Sequence, residues 1–562
     1  MKVLRLAVAA ALAAIVLPIV PAATGVVSAA PPKGASTYTP VNPARLADTR
    51  AGQPGSDGFA RVNPNTIRVQ VSGRAGIPSG ATAAVLNITS VNASEAAFVT
   101  AFPAGNPLPN AASLNVDKPG RIIGNLATVQ LSPGGAVDLY MNQPMDLVVD
   151  VAGAYTPVND AVAAGRLFTI PGGARRVLDT RDGGSPVAAR GVQRVSLASL
   201  NVPVDATGVV FNLAATEGET GYWTAYPIGV ERPLASSLYI DEIGQTRNGQ
   251  GIVALLPGER GFDVFSFGGG HLIVDVVGWF TGLSSGVSTD GLFVSSSPIR
   301  MLDTRYNYSI PPWGGSVIEF SAGADLGGLS NQVAAIAMNI AIAEPLNVGF
   351  ITAFPSGVNR PLAANLNITE LDQIISNHAV VRVGTRGVSL YTLAGAQMIV
   401  DVTGWYLGTP DASVNPVQTN PSTATTRPTH VTIASVGIST GIAIGTNVNA
   451  IVNSGRAVLY GGGGILGAPD HNIFFAHRTS AGGPFRNLDK VQVGSTFTLT
   501  GADGRKFVYL VNNKAIISPI PELLLELAVE AGPITATLVA CHPLGSTRQR
   551  ILITGRLIGL AP

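Results

Sequence analysis

The chain holds one thiol. Cys541 closes the apolar run "ITATLVAC", Arg550 follows nine residues later at the head of "RILITG", and His477 stands 64 residues upstream at the close of "NIFFAH". A thiolate attacks an amide carbonyl, an imidazole can hand a proton to the leaving amine, and a guanidinium can stabilise the oxyanion formed in between. Together these types are the parts of a thiol acyl-transfer site. Each also has a plainer reading: a lone cysteine as a small buried apolar residue, the histidine as a satisfied core group, the arginine as a solvated turn residue.

The elements around them must bring the three together. "ITATLVAC" and "RILITG" are β-branched runs of strand length, and the turn sequence "HPLGST" between them makes them antiparallel neighbours, with thiol and guanidinium at the same end. Arg548 competes for the arginine's place, because residues two apart in an extended chain face the same side. Arg550 lies nearer the hydrogen-bonded ladder and is the expected partner. Apolar runs of the same kind, separated by glycines, fill the rest of 430–562, so a closed β-barrel is expected there.

What precedes that region repeats itself. "NPARLADTR", "GARRVLDTR" and "SPIRMLDTR" make Asp48, Asp179 and Asp303 equivalent, and "LVVDVAGAY", "LIVDVVGWF" and "MIVDVTGWY" do the same for Asp150, Asp275 and Asp401. Each opening aspartate lies about 100 residues before its closing one, a domain-sized span. Modules are expected over 38–157, 167–282 and 291–408. Short β-branched runs with Gly and Pro about every ten residues make the fold class all-β: three β-sandwich or barrel-like modules, each with its own core, followed by the barrel.

The Asp-Thr-Arg triplets could bind a ligand, but a turn-capping carboxylate paired with arginine inside each module requires less. Likewise the aromatic ends, Tyr155, Trp279 with Phe280, and Trp405 with Tyr406, read as packing before they read as a carbohydrate platform. No repeat carries paired carboxylates, a histidine cluster or a nucleophile elbow, so none is read as catalytic. Residues 409–429, with four prolines among Ser, Thr and Asn, are expected to form an extended linker that lets the barrel fold with few contacts to the repeats.

Composition narrows the setting. Charged residues are 12% of the 562 and the net charge is +1, with no basic cluster, which sets nucleic acid aside as a partner. Lys2 and Arg5 precede a long apolar run that ends in small residues, so 1–30 is expected to be a secretory signal, or an uncleaved membrane anchor. The protein is thus expected to be exported and extracellular or on the cell surface, where one cysteine forms no internal disulfide.

Three stretches of the last region resemble the sortase family, in the family's order. "AHRTSAGGPFRNLDKVQVGSTFTL" is similar to the segment in which the catalytic histidine precedes Arg-Thr, a Gly-x-Pro-Phe turn and a Leu-Asp pair. "TLVACHPLGSTRQRILI" is similar to the strand pair carrying nucleophile and arginine, and "VTIASVGI" stands in the place of the opening strand. The resemblance is strongest to the class D and E sortases of Gram-positive bacteria. The repeats, over roughly 38 to 408, resemble the DTR and VDVxGWF modules of exported actinobacterial proteins.

The resemblance implies a cysteine transpeptidase with Cys541 as nucleophile, His477 as the general acid and Arg550 as the group that positions substrate and stabilises the oxyanion. Its substrates would be surface proteins bearing an LPxTG-like or LAxTG-like sorting motif, cleaved between Thr and Gly. The acyl group would pass through a thioester to an amine of peptidoglycan or a pilin, with water as a slow substitute acceptor. No cofactor or metal is expected. The apolar segment 518–532 would wall the peptide groove.

Three departures accompany the resemblance. Ala540 replaces the usual Thr before the cysteine, which would weaken a hydrogen bond to the bound peptide. Ala434 and Ser435 stand where Pro and Lys are common, and three large repeats replace a short stalk. The alternative is an inactive surface adhesin or spacer built on the repeats, whose ligand the sequence does not disclose.

Overall fold

The computed structural model describes residues 30–561 apart from 308–310, 313, 322–331, 413–425, 446, 461–464, 468–470 and 520–534. The expected N-terminal signal, most of the linker and most of the 518–532 groove wall lie outside the described residues. What is described is almost entirely β-structure. No described helix is long and apolar enough to cross a membrane.

Each repeat is a pair of antiparallel sheets. In the first, strands Ala35–Asp48, Asp146–Pro157, Ala83–Val91 and Ile123–Gln130 form one sheet. Phe59–Asn63, Thr66–Gln70, Ala136–Met141, Ala97–Pro103 and Leu114–Val116 form the other. Alternation along Ala83–Val91 shows how the layers are filled: Ala84, Leu86 and Ile88 enter the core of the module, while Ala83 and Val85 point the other way and are equally buried. A strand covered on both faces reads as a nearly unbroken apolar run, as this one does.

Each repeat holds a core of its own, as expected, and the second face is buried because the repeats also pack on one another. Tyr38, Val85, Tyr155, Val210, Ile252, Phe280, Phe293, Ala337, Val380 and Tyr406 form a single shared core drawn from all three. Ser36 and Phe293 pair directly, so the inner sheets of the first and third repeats run on as one eight-stranded sheet. The closing aromatics Tyr155, Phe280 and Tyr406 sit at its centre, no more than 1% exposed, with the Tyr155 and Tyr406 hydroxyls 2.5 Å apart.

At the three-way junction the ladder partners of Asn87, Asn212 and Asn339 are Leu126, Gln250 and His378, one per repeat. His378 Nε2 lies 3.0 Å from Thr128 Oγ1, and Nδ1 lies 2.8 Å from Gln250 Oε1. Burial pushes the His378 imidazole down to about 3. Elsewhere, acidic residues of three loops, Asp117, Asp241, Glu242 and Glu370, converge on the buried guanidinium of Arg121.

The repeated signatures hold this body together. Arg176 Nε donates to Asp275 at 2.8 Å, Nη1 to Asp179 at 3.0 Å, and Nη2 to the Leu362 carbonyl of the next repeat at 2.8 Å. Arg45 reaches Asp150, Asp48 and the Leu234 carbonyl in the same way, and Arg300 reaches Asp401, Asp303 and the Asn110 carbonyl, so the contacts close a ring of three. The arginine of each triplet grips the triplet's own aspartate, as Arg181 does Asp179. Glycine in the closing signature permits close approach, since a Cβ at Gly278 would lie 2.1 Å from the Phe168 carbonyl oxygen.

The last region is a closed eight-stranded barrel in the order 428–433, 438–444, 457–460, 471–475, 535–542, 549–560, 506–517 and 496–501, the last pairing back to the first. It touches the third repeat at two described points. Leu346 of the third repeat packs on the barrel core, and Gly314 bridges to Gly559.

Candidate active site

The strand Thr535–His542 and the strand Gln549–Leu560 form an antiparallel ladder that runs from Thr535↔Arg556 to His542↔Gln549. Within it Cys541 lies directly opposite Arg550. Opposed residues in such a ladder share a face, with Cβ atoms about 4.5–5.5 Å apart. The register therefore puts Arg550, not Arg548, across from the thiol; Arg548 stays in the turn, its backbone N–H donating to Ser546 Oγ at 3.2 Å. Arg550 Nη1 donates to the carbonyls of Thr547 and Gln549, both at 3.0 Å, and no carboxylate pairs with it among the described residues.

On the other side of the cysteine strand lies His471–Phe475, parallel to it and in register to Phe475↔Val539. The Ala476 N–H donates to the Val539 carbonyl at 3.3 Å, and His477 follows two residues past the end of that strand. His477 Nε2 and Asn453 Oδ1 are 2.9 Å apart; the amide oxygen accepts, so Nε2 is the donor. Asn453 ends the helix Val448–Asn453, whose start is capped by Asn447 Oδ1 accepting from the Ala450 N–H.

Arg478, the residue after His477, fastens these parts. It is 2% exposed, and its Nη1 donates to the Cys541 carbonyl at 3.4 Å and to His542 Nδ1 at 3.2 Å. Its Nη2 donates to the Arg486 carbonyl at 3.1 Å and pairs with Asp489 at 2.6 Å. The Arg-Thr and Leu-Asp words of the sequence are thus two halves of one clasp over the Gly-Gly-Pro-Phe turn. Sequence reasoning quoted both and gave neither a role. For Asn453 the sequence carries no signal, because its approach to His477 depends on how the helix lies against the barrel.

Alternation fixes which face holds the site. Ala536, Leu538 and Ala540 point into the barrel core, while Val539 points out and clusters with Ile473 and Leu552, flanked by Phe475, Ala515 and Ile517. Cys541, two residues beyond Val539, is half-buried at the end of this apolar strip. Ala540 is 3% exposed and faces the barrel core, away from the cysteine's side. Ala434 and Ser435 lie in the 3-10 turn Ala434–Val436 that follows the opening strand. Among the described residues no group of His, Cys, Asp or Glu could hold a metal ion.

Comparison with known proteins bears on the same region. Residues 431–558 match the family model for the sortase domain. Sortase E1 from Streptomyces coelicolor, solved with a tripeptide in its active site, aligns at 21% identity over 24% of this chain and 91% of its own, with a TM-score of 0.22. Sortase C1 from Streptococcus agalactiae, in complex with MTSET, aligns at 26% identity over 24% of this chain and 68% of its own, with a TM-score of 0.21. A lid mutant of sortase A from Corynebacterium diphtheriae aligns at 19% identity over 25% and 74%, with a TM-score of 0.21. No curated protein matches the chain. The match to the sortase domain is confined to residues 431–558, and the three repeats lie outside it.

Proposed function

We propose that this protein is an exported cysteine transpeptidase that cleaves a sorting motif on surface proteins and joins the acyl part to an amine. The observation that carries the reading is the direct pairing of Cys541 with Arg550, with His477 at the end of the adjoining strand, inside a segment that matches the sortase domain.

The Cys541 thiolate attacks the carbonyl carbon of the Thr-Gly bond, forming an S–C bond and placing the electron pair on the carbonyl oxygen. Arg550, with which no carboxylate pairs among the described residues, donates to that oxyanion. Collapse of the adduct breaks the C–N bond as His477 delivers a proton to the glycine nitrogen, leaving a thioester on Cys541. An amine of peptidoglycan or a pilin then attacks the thioester and loses a proton, and the thiolate departs. The apolar strip of Ile473, Val539 and Leu552 suits the aliphatic side chains of an LPxTG-like or LAxTG-like peptide.

Arg478 and Asn453 are positioning residues in this scheme, the first through the Cys541 backbone and the second through the His477 ring. The reading is tested by incubating the full chain with a labelled LPxTG-type peptide and a glycine-based amine. A transfer product dependent on both the amine and Cys541 is expected; cleavage or transfer undiminished in Cys541→Ala contradicts it.

A further inference from the structure

The three junctions between repeats are built from equivalent positions, and one differs from the other two in what fills it. Where the second repeat meets the first, Tyr222 pairs with Tyr239 across a hairpin, and the buried Tyr239 ring packs against Gly124 close to Arg45 and Asp150. Arg232 lies over the Phe265 ring at 3.9 Å, and its Nη1 donates to the Tyr222 hydroxyl at 3.1 Å. Ring and arginine are both committed.

Where the third repeat meets the second, the same hairpin pair is Phe350 and Asn367. A cavity of about 280 Å³ lies there beside Arg176, Asp275 and Asn367, close to the size at which small-ligand pockets begin. Arg360, equivalent to Arg232, lies over the Tyr391 ring at 3.7 Å, but Phe350 offers it no hydroxyl, and among the described residues no carboxylate pairs with it. At the remaining junction the hairpin pair is Phe98 and Asn115, and Leu108 stands in place of the arginine. The second junction alone combines a short side chain with an uncommitted guanidinium.

We infer that this cavity binds a sugar carrying a carboxylate. Arg360 supplies a planar cation for the carboxylate at the rim, already backed by an aromatic face. The lining also holds the hydroxyls of Thr216 and Thr246, 2.6 Å apart, and the amides of Asn212 and Asn367 to meet ring hydroxyls, and Phe350 offers an apolar face to the ring carbons. Asp275, whose oxygens already accept from Arg176, has lone pairs left for hydroxyl donors, and the neutral hydroxyls and amides of the lining find partners on a sugar that a bare phosphate lacks. This site belongs to the repeats and is independent of the chemistry assigned to the barrel.

Calorimetric titration or ligand-observed NMR of the full chain with D-glucuronate, D-glucose and inorganic phosphate tests the inference. Glucuronate is expected to bind at millimolar concentration, with glucose and phosphate each at least about tenfold weaker. Arg360→Ala should bring glucuronate down to the level of glucose, and Asn367→Tyr, which restores the ring found at the first junction, should abolish binding. Thermal unfolding of each variant establishes that it is folded; if Asn367→Tyr is not, Arg360→Ala decides. Equal binding of glucose or phosphate, no binding of glucuronate, or full binding by folded Arg360→Ala overturns the assignment.

Discussion

Arginine does two kinds of work in this molecule, and the partner distinguishes them. In the repeats Arg45, Arg176 and Arg300 each bridge two aspartates and a carbonyl of the neighbouring module. The aspartates register this: hydrogen bonds from Arg181 hold the Asp179 carboxyl below its usual range, whereas burial raises that of Asp275 despite Arg176. In the barrel, the partners of the Arg550 guanidinium among the described residues are two backbone carbonyls of its own turn. A guanidinium saturated by buried carboxylates is architecture; one left to carbonyls beside a thiol is free to meet a developing charge.

The largest effect expected from this contrast is on stability. Arg176→Ala leaves Asp275 and Asp179 without their shared partner, and Asp275 is 4% exposed, so the folded repeats should lose about 3–5 kcal/mol by chemical denaturation. A loss under about 1 kcal/mol would place the pair among ordinary surface ion pairs and dissolve the contrast. Arg550→Ala should do the reverse, sparing stability while lowering turnover by about 10²-fold, the scale of a lost oxyanion donor. Arg548→Ala should cost much less, and a larger loss there would move the role to it.

The junction histidine provides a smaller effect with a definite sign. The folded value of His378 lies near 3, below the ordinary value of about 6.5, so between these limits the unfolded chain binds the extra proton. Stability therefore falls as pH falls from 6.5 toward 3, by about 1.4 kcal/mol per unit, or about 2 kcal/mol by pH 5. Thr128 and Gln250 facing the ring are uncharged and do not offset this. His378→Gln should flatten the slope over that range, and an unchanged slope would contradict the assignment. The smallest effect is at Asn453, where Asn453→Ala should slow turnover by a few fold, short of the roughly 10²-fold that loss of a general acid costs.

The sequence made legible whatever depends on local register. "HPLGST" is too short to let Cys541 and Arg550 miss each other, and the fixed placement of DTR and VDV words made the repeats plain. Their pairing inside each module followed from residue types that satisfy one another. Contacts between distant elements were not legible. Leu126, Gln250 and His378 occupy equivalent positions yet share no chemistry, so nothing in their identities announced a common axis. Polar composition at 409–429 suggested separation, whereas Leu346 and Gly314 reach the barrel from elsewhere in the third repeat.

The central claim, that Cys541 is a nucleophile served by Arg550 and His477, is tested most directly by intact-mass spectrometry of the full chain after exposure to an LPxTG-type peptide without added amine. A covalent acyl adduct that maps to Cys541, that is discharged by hydroxylamine and that Cys541→Ala never forms is the predicted result. An adduct on another residue, or transpeptidation by Cys541→Ala at the parent rate, would contradict it.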